Sequence, residues 1–571
     1  MLENMKRLRP WLCAALCALS ARAGAGDNRW VFIHARGLLD DEELLFASNI
    51  VVRAAAAGLE RLVWPGGLDT CWTWPEDRKA RFAELLRIVR TNGMDIVPLV
   101  WSTGYGTMTG VDLGLLESTP LRNVPYVARG GRLVPDCGGT ELVENGGFEE
   151  PGRGTGAFRG WFTDHPGLEA FTDTETFRSG GASLRMEPGP EKDRHGHARA
   201  SQHVALEPNR LYRVSAWFKV RGLDTSNEKL MLHVYLDGTS PSGGSDAGTT
   251  VYGLADADGW REASFSFSTG DAAGATIWCG AWGAKSGTFW IDDVSLREAP
   301  LTEIARREDS PRTVRSAADP DRVYERGKDW LDPDWKAWRR GEPATFPIPD
   351  GSAIAEGERV LLDTYVVSRS APKMQTSTCM SDPRLYELFE RSAKEIEALL
   401  HPDKWFLSLD EIRNGGTCPL CAARQTDMAH ILGDCVRRQC EIIRAVHPGA
   451  EIYAWSDMFD PYHNAHDHFY RCKGTFEGVW DLIPKDVTMV CWHRGPLAKA
   501  LPFFAEHGFE VMASVCCDDR GPDEILKWRR TMDAAPGPTR GFMYTTWVKD
   551  YSRLEEFARV ISAPAPDAPN P

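Results

Sequence analysis

Short, fully apolar runs alternate with amphipathic stretches at both ends of this chain, and that pattern sets the fold class. Residues 30–34, 62–64 and 96–101 read as buried strands. Between them, a stretch ending at Ala57-Gly58 and a stretch over 75–90 carry apolar residues at helical spacing; Phe82, Leu85, Leu86 and Val89 lie on one face of the second, with Asn92-Gly93 as its stop. The same alternation resumes late in the chain. Asp382-Pro383 opens a helix bearing Leu385, Phe389, Ile396 and Leu400, and a second helix spans 426–446. Strands follow at 405–409, 451–455, 488–492, 510–515 and 541–547, each with helical text after it. Strands apolar on both faces, separated by helices, belong to a parallel sheet covered on both sides.

Between these halves the period changes to two. Residues 211–220, 230–236, 264–267 and 289–296 alternate apolar and polar positions, with turns rich in Gly, Asp and Ser between them. This is the pattern of a β-sandwich. Three parallel strands before it and five after it make eight, which predicts a (β/α)8 TIM barrel with an all-β jelly-roll sandwich inserted after its third strand. The expected division is a leader at 1–25, a first barrel part at 26–138, the sandwich at 139–299, a second barrel part at 300–562 and a disordered tail at 563–571. Residues from 299 to about 340 read as irregular, and 361–367 as an edge strand or barrel extension.

In such barrels the chemistry gathers at the C-terminal ends of the strands. Those ends carry Trp64, Trp101 and Tyr105, then Asp410 and Glu411, then Trp455, Asp457 and Asp460. Trp492, His493 and Arg494 follow the next strand, then Asp518 and Asp519, then Trp547 and Asp550; Arg36 lies near the end of the first. The sharpest of these is Leu409-Asp410-Glu411, where an apolar strand delivers two adjacent carboxyl groups before Asn414-Gly415-Gly416 turns the chain. A carboxylate beside a second carboxyl raises the second group's pKa, the arrangement acid–base chemistry uses. Carboxyl groups and indoles on one rim suit a glycosidase, which needs proton transfer and flat walls for a sugar ring.

Bulk properties narrow the partners. A formal net charge of −15 argues against nucleic acid or an anionic membrane. Twenty-one tryptophans over 571 residues favour saccharide stacking, although indoles also fill cores. Lys6, Arg7 and Arg9, an apolar run over 11–19 and Ala-x-Ala patterns at Ala21, Ala23 and Ala25 form a signal-peptide pattern, predicting export to the periplasm or outside and no membrane span in the mature chain. Fourteen cysteines include Cys418-Pro-Leu-Cys421, half of a zinc pattern; Cys435 and Cys440 are wrongly spaced to complete it, which favours a disulfide or buried thiols.

Two resemblances sharpen the reading. Asn145-Gly146-Gly147-Phe148-Glu149, Gly160-Trp161, Gly181-Ala182-Ser183-Leu184-Arg185, the run from Leu211 through Trp217 and Ile291-Asp292-Asp293-Val294-Ser295-Leu296 resemble jelly-roll carbohydrate-binding modules of the cellulose- and xylan-binding type. That resemblance implies a structural calcium held by Glu149 and Asp292 or Asp293. The barrel resembles family 20 glycoside hydrolases, the β-N-acetylhexosaminidases, in Asp410-Glu411, Tyr453-Ala454-Trp455-Ser456-Asp457, Val490-Cys491-Trp492-His493-Arg494 and Gly541-Phe542-Met543-Tyr544-Thr545-Thr546-Trp547. The sequence departs from that family's His-x-Gly-x-Asp-Glu at Phe406 and Ser408, carries Lys549 in place of a later acid, and has Cys516 and Cys517 where a Tyr is found.

The resemblance implies a retaining, substrate-assisted exo-β-N-acetylhexosaminidase without a catalytic cofactor. Glu411 would be the acid/base, Asp410 would orient the acetamido group, and Arg36, Trp101, Tyr105, Trp455, Asp457, Trp492 and Trp547 would bind an oligo- or polysaccharide. Two alternatives stay open: a glycosidase of other specificity using two enzyme carboxylates, and a non-catalytic carbohydrate-binding surface protein.

Overall fold

The computed structural model describes residues 28–34, 37–137, 139–154, 157–189, 197–224, 229–238, 247–250, 259–284, 286–302, 304–305, 307, 310–334, 341–369, 375–518 and 521–563. The leader at 1–25, Arg36, Asp519 and the tail beyond Ala563 lie outside them. Eight parallel strands pair in a closed order: β1 (Asn28–Phe32), β2 (Arg61–Trp64), β3 (Asp95–Val100), β4 (Lys404–Leu407), β5 (Glu451–Trp455), β6 (Val487–Cys491), β7 (Val511–Cys516) and β8 (Thr539–Thr545). By contact density the described chain forms two units, one of 28–64, 80–97 and 488–563, the other of 65–79 and 98–487.

In the first unit β1 pairs with β2, with Trp30 opposite Arg61, and with β8, with Trp30 opposite Met543. Its strands are buried on both faces, β6 and β7 throughout, because the helices α1 (Asp41–Ala56), α2 (Glu76–Thr91), α6 (Arg494–Glu506), α7 (Glu524–Asp533) and α8 (Leu554–Ser562) supply the cover that parallel strands need.

In the second unit β4 pairs with β3, with Phe406 opposite Leu99, and with β5, with Phe406 opposite Tyr453. Helix α3 (Pro383–Leu400) starts where sequence logic places it: Asp382 caps it by accepting the Arg384 amide, and Pro383 fills the first turn. The short α4 (Pro419–Ala423) and the long α5 (Met428–Val446) follow β4.

One expected helix is missing. Between β5 and β6, residues 456–486 form only two 3-10 turns, Asp457–Phe459 and Val479–Asp481, and the short strand Arg471–Cys472. Pro461 and Pro484 limit a helix there, and Gly474 and Gly478, at φ 79° and 84°, break it.

The β-rich middle holds a sandwich of two five-stranded antiparallel sheets, one ordered 261–268, 211–221, 288–298, 183–186, 170–173, the other 247–250, 229–236, 274–282, 198–205, 162–163. Phe148, Leu184, Val214, Phe218, Leu232, Ile277, Phe289 and Ile291 fill the space between them.

A further sheet was not legible in the sequence. Ser118–Arg129 and Arg132–Pro135 pair with strands at 313–316, 323–324, 346–347 and 359–367 in six antiparallel strands. Arg359–Val367 is therefore interior to a sheet, flanked by Thr313–Ser316 and Ser118–Arg129, while the described residues between 299 and 340 are irregular apart from the strands Thr313–Ser316 and Val323–Tyr324. Pro120 and Pro125 hide Ser118–Arg129 from a strand reading. Twelve cysteines are described and all are free thiols, so none of the disulfides allowed by sequence forms among them. No helix of the described residues is long and apolar enough to cross a membrane.

Candidate active site

The tip of β4 carries the acidic pair. Lys404–Leu407 is wholly buried; Phe406 packs on Trp455 of β5 with ring centroids 4.6 Å apart, and the Ser408 amide continues the pairing by donating to the Val100 carbonyl at 2.8 Å. Beyond it the Ser408 hydroxyl donates to Asp410 Oδ1 at 2.9 Å. Glu411 then takes φ 48°, a left-handed conformation costly for a residue with a side chain, held by neighbours on three sides. Its amide donates to Asp457 Oδ2 at 2.9 Å, and its carbonyl accepts from Gln375 Nε2 at 2.7 Å. The same Gln375 amide donates to the Gly104 carbonyl at 2.6 Å. Gly104 is required by proximity: a Cβ there would lie 2.2 Å from the Asp410 carbonyl oxygen.

Both Glu411 carboxylate oxygens have donors. Arg413 Nη2 donates to Oε1 at 2.7 Å, and the Tyr105 hydroxyl donates to Oε2. Arg413 is itself held by Gln375 Oε1 at 2.8 Å and lies over the Tyr470 ring. Asp410, by contrast, has no basic partner among the described residues. Burial first, then the charges of Asp457 and Glu411, push its carboxyl up to about 7 against the opposing Ser408 hydrogen bond. Asp460, buried nearby in sequence, is also raised to about 7, mainly by burial and secondarily by Asp457. The Tyr105 phenol is driven upward by burial and by Asp410 and Glu411, so it stays a donor.

The expected residues divide. Asp410, Glu411, Tyr105 and Asp457 form one cluster. Within it Asp457 is fully buried and its Oδ2 accepts from Glu411 and, at 2.8 Å, from Asn464 Nδ2, so it positions the pair rather than facing solvent. Trp455 is buried against Phe406. Trp101 is not a pocket wall: it is fully buried, stacks on Phe389 of α3 at 4.5 Å and donates from Nε1 to Ser392. In the other unit Trp492 and Trp547 meet edge to face at 6.4 Å; Trp547 is 41% exposed, packs against Phe32, and its amide donates to Asp518 at 2.6 Å. The sequence reading missed Gly104, Gln375, Arg413 and Asn464. Arg413 was the accessible one, two residues beyond Glu411 in the same motif.

In the sandwich, Asp292 Oδ2 accepts the amides of Arg178 and Ser179, and Glu149 accepts those of Gly181 and Ala182, so both carboxylates fasten one loop. Neither has a basic partner among the described residues, and burial together with Asp293 raises Asp292 to about 6. The second sheet also carries an aromatic face that the sequence did not single out. Trp278 pairs across strands with His233 and Ser201, and Ser201 with Phe162. Arg199 lies 4.9 Å from the Trp278 ring and 5.5 Å from Trp282, and the exposed Phe162 meets Trp278 edge to face.

Residues 140–278 match the family described as a carbohydrate binding domain, which supports a carbohydrate-binding module in the inserted sandwich and a saccharide as its ligand. Solved structures similar to this part of the chain include TmCBM61 in complex with β-1,4-galactotriose, at 20% identity over 28% of this chain and 99% of that one, TM-score 0.22. A CBM4 structure matches at 18% identity over 28% and 99%, TM-score 0.21. The CBM22-1 xylan-binding domain from Paenibacillus barcinonensis Xyn10C matches at 14% over 28% and 92%, TM-score 0.18. No curated protein matches the chain.

Proposed function

We propose that the chain is a secreted glycoside hydrolase that works on a saccharide captured by its own module, with Asp410 and Glu411 as the acid–base pair. The observation that carries this reading is two adjacent carboxyl groups at a barrel strand tip with unequal partners, Glu411 held by Arg413 and Tyr105 and Asp410 by the Ser408 hydroxyl, with burial and the neighbouring carboxylates pushing Asp410 up to about 7. A carboxyl group raised toward neutral pH can give up and take back a proton there, which is what cleavage of a glycosidic bond requires.

The finer assignment is a hexosaminidase-like, substrate-assisted reaction. The acid gives its proton to the leaving glycosidic oxygen as the substrate's acetamide oxygen bonds to the anomeric carbon; water then attacks that carbon and returns a proton to the enzyme. The family resemblance gives the acid role to Glu411 and the acetamide to Asp410. The hydrogen bonds favour the reverse, because Arg413 and Tyr105 both donate to Glu411, while among the described residues the side-chain donor to Asp410 is the Ser408 hydroxyl. Asp410 is accordingly the proton donor, and Glu411 a fixed negative charge facing the developing cation.

The test uses the full chain on aryl N-acetyl-β-hexosaminides and on aryl glycosides lacking the acetamido group. With Asp410 as acid, Asp410→Asn keeps activity on substrates whose phenol leaves without a proton and loses it on alkyl glycosides; Glu411→Gln loses both. The opposite pattern restores Glu411 as acid. Turnover of only the non-acetamido substrates replaces the hexosaminidase reading with a two-carboxylate glycosidase.

A second reading, a non-catalytic carbohydrate-binding protein, is favoured by one fact. Phe406 packs on Trp455 where the resembling family carries a histidine, so that family's histidine is not available to the pair. Wild-type protein that binds glycans and hydrolyses none selects it. A structural calcium belongs to the same proposal, with Glu149 and Asp292 as its carboxylate ligands; a calcium-dependent rise in melting temperature, lost in Asp292→Asn, tests it. Export is tested by the N-terminus of the protein recovered outside the cytoplasm.

A further inference from the structure

Four side chains from three separate stretches converge in the second unit. Glu117, Cys379, Cys418 and Cys421 are all buried, and their ligand atoms lie within 4.8 Å of one another. Cys379 Sγ is 3.2 Å from Cys418 Sγ and 3.7 Å from Cys421 Sγ, and Cys421 Sγ is 3.5 Å from Glu117 Oε2. Tetrahedral zinc with Zn–S of about 2.3 Å and Zn–O of about 2.0 Å sets S···S near about 3.8 Å and S···O near about 3.5 Å. Two of the three spacings fit that geometry closely, and the third would open by about half an ångström around an ion.

The backbone is arranged as for a metal turn. Cys418 caps the short α4, Pro419 follows it, and the Cys421 amide points at Cys418 Sγ at 3.5 Å. Glu117 has no basic partner among the described residues. Its Oε1 accepts from the amides of Thr417 at 3.1 Å and Cys418 at 2.7 Å, which leaves Oε2 turned to the sulfurs. A carboxylate buried against three thiols is costly without a cation. The two cysteines weighed in the sequence, Cys435 and Cys440, sit instead on the buried face of α5.

We propose that Glu117, Cys379, Cys418 and Cys421 form a structural zinc site that staples the acidic loop in place. On binding, the three thiols give up their protons to solvent and the ion takes three thiolates and one carboxylate, a closed set with no open position for substrate. Two of the three stapled segments also meet at the acidic pair: Gln375, four residues before Cys379, donates to the Glu411 carbonyl, and Asn414, between Glu411 and Cys418, accepts the Ser377 amide at 2.9 Å. The metal therefore holds Glu411 without touching it.

The test is elemental analysis of the full chain purified under reducing conditions, with and without zinc in the medium. One zinc per chain is expected, with none retained in Cys379→Ser or Cys421→Ser and full retention in Cys137→Ser, which lies outside the cluster. Because the two serine variants are exposed to misfolding, wild-type protein supplies a second readout. A mercurial should release one zinc per chain, and cobalt taken up in its place should show thiolate charge-transfer absorption and tetrahedral d–d bands. Reduced wild-type protein that takes up neither metal, or peptide mapping that finds Cys379 disulfide-bonded to Cys418 or Cys421, overturns the proposal.

Discussion

The main-chain amide of Glu411 donates to the buried carboxylate of Asp457 at 2.9 Å, so the tip of one barrel strand is fixed by the tip of its neighbour. Asp457 also adds its charge to the field at Asp410, second only to burial in raising that group. One residue thus contributes to both the geometry and the proton affinity of the pair.

Two substitutions separate these roles. Asp457→Asn keeps an oxygen acceptor and removes the charge, so Asp410 should lose its proton at lower pH, and the alkaline limb of the activity profile should move down. Asp457→Ala removes the acceptor as well and should cost about 1–3 kcal/mol of stability, read by denaturant unfolding. An unshifted limb in the Asn variant would disconnect Asp457 from the acid.

Stability itself should fall as pH rises from about 4 to about 7. An unfolded carboxyl titrates near about 3.9. Asp410 and Asp460 do so near 7, so in that window the folded chain keeps protons the unfolded chain has lost. The loss is complete above about 7. Asp410→Asn should therefore raise the melting temperature more at pH 8 than at pH 5, and an equal change at both would place the retained proton elsewhere.

Gly104→Ala should disable the site without touching any carboxyl group. A Cβ at 2.2 Å from the Asp410 carbonyl must push the 410–411 peptide away, and such overpacking costs about 1–3 kcal/mol. Expected are a lower melting temperature and a drop in kcat larger than any change in KM; unchanged kinetics would mean that the loop tolerates displacement.

On the sandwich, Trp278→Ala and Trp282→Ala should each weaken retention of the full chain by soluble polysaccharides in affinity electrophoresis, by about tenfold for one lost stacking partner worth about 1.4 kcal/mol. Their rings are partly solvent-exposed, so the melting temperature should hold. Retention unchanged in both variants would move the ligand to another face.

The barrel strands were legible because each is a short apolar run bounded by turn residues, and the sandwich because four of its strands alternate apolar and polar positions. The sheet holding Ser118–Arg129 was hidden because Pro120 and Pro125 interrupt its alternation and its partners lie far along the chain. At the site, Asp410, Glu411, Tyr105 and Asp457 could be placed by their positions after strands. Gln375 could not, since nothing local marks a glutamine whose amide bridges Gly104 and Glu411. Trp101 misled for a related reason: a tryptophan one residue past a strand faces either way, and its φ of 58° turns this one toward α3.

The six-stranded sheet has a consequence for how the sandwich is carried. The chain leaves that sheet at Pro135 to enter the sandwich and rejoins it at Thr313, while the Arg122 amide grips the Asn209 carbonyl and Leu211 is buried with Leu121, Leu301 and Leu362. The sandwich is plugged into a socket whose two rims come from opposite sides of the insertion. A foreign module grafted between those rims would keep its seat only if it brought an apolar residue to replace Leu211.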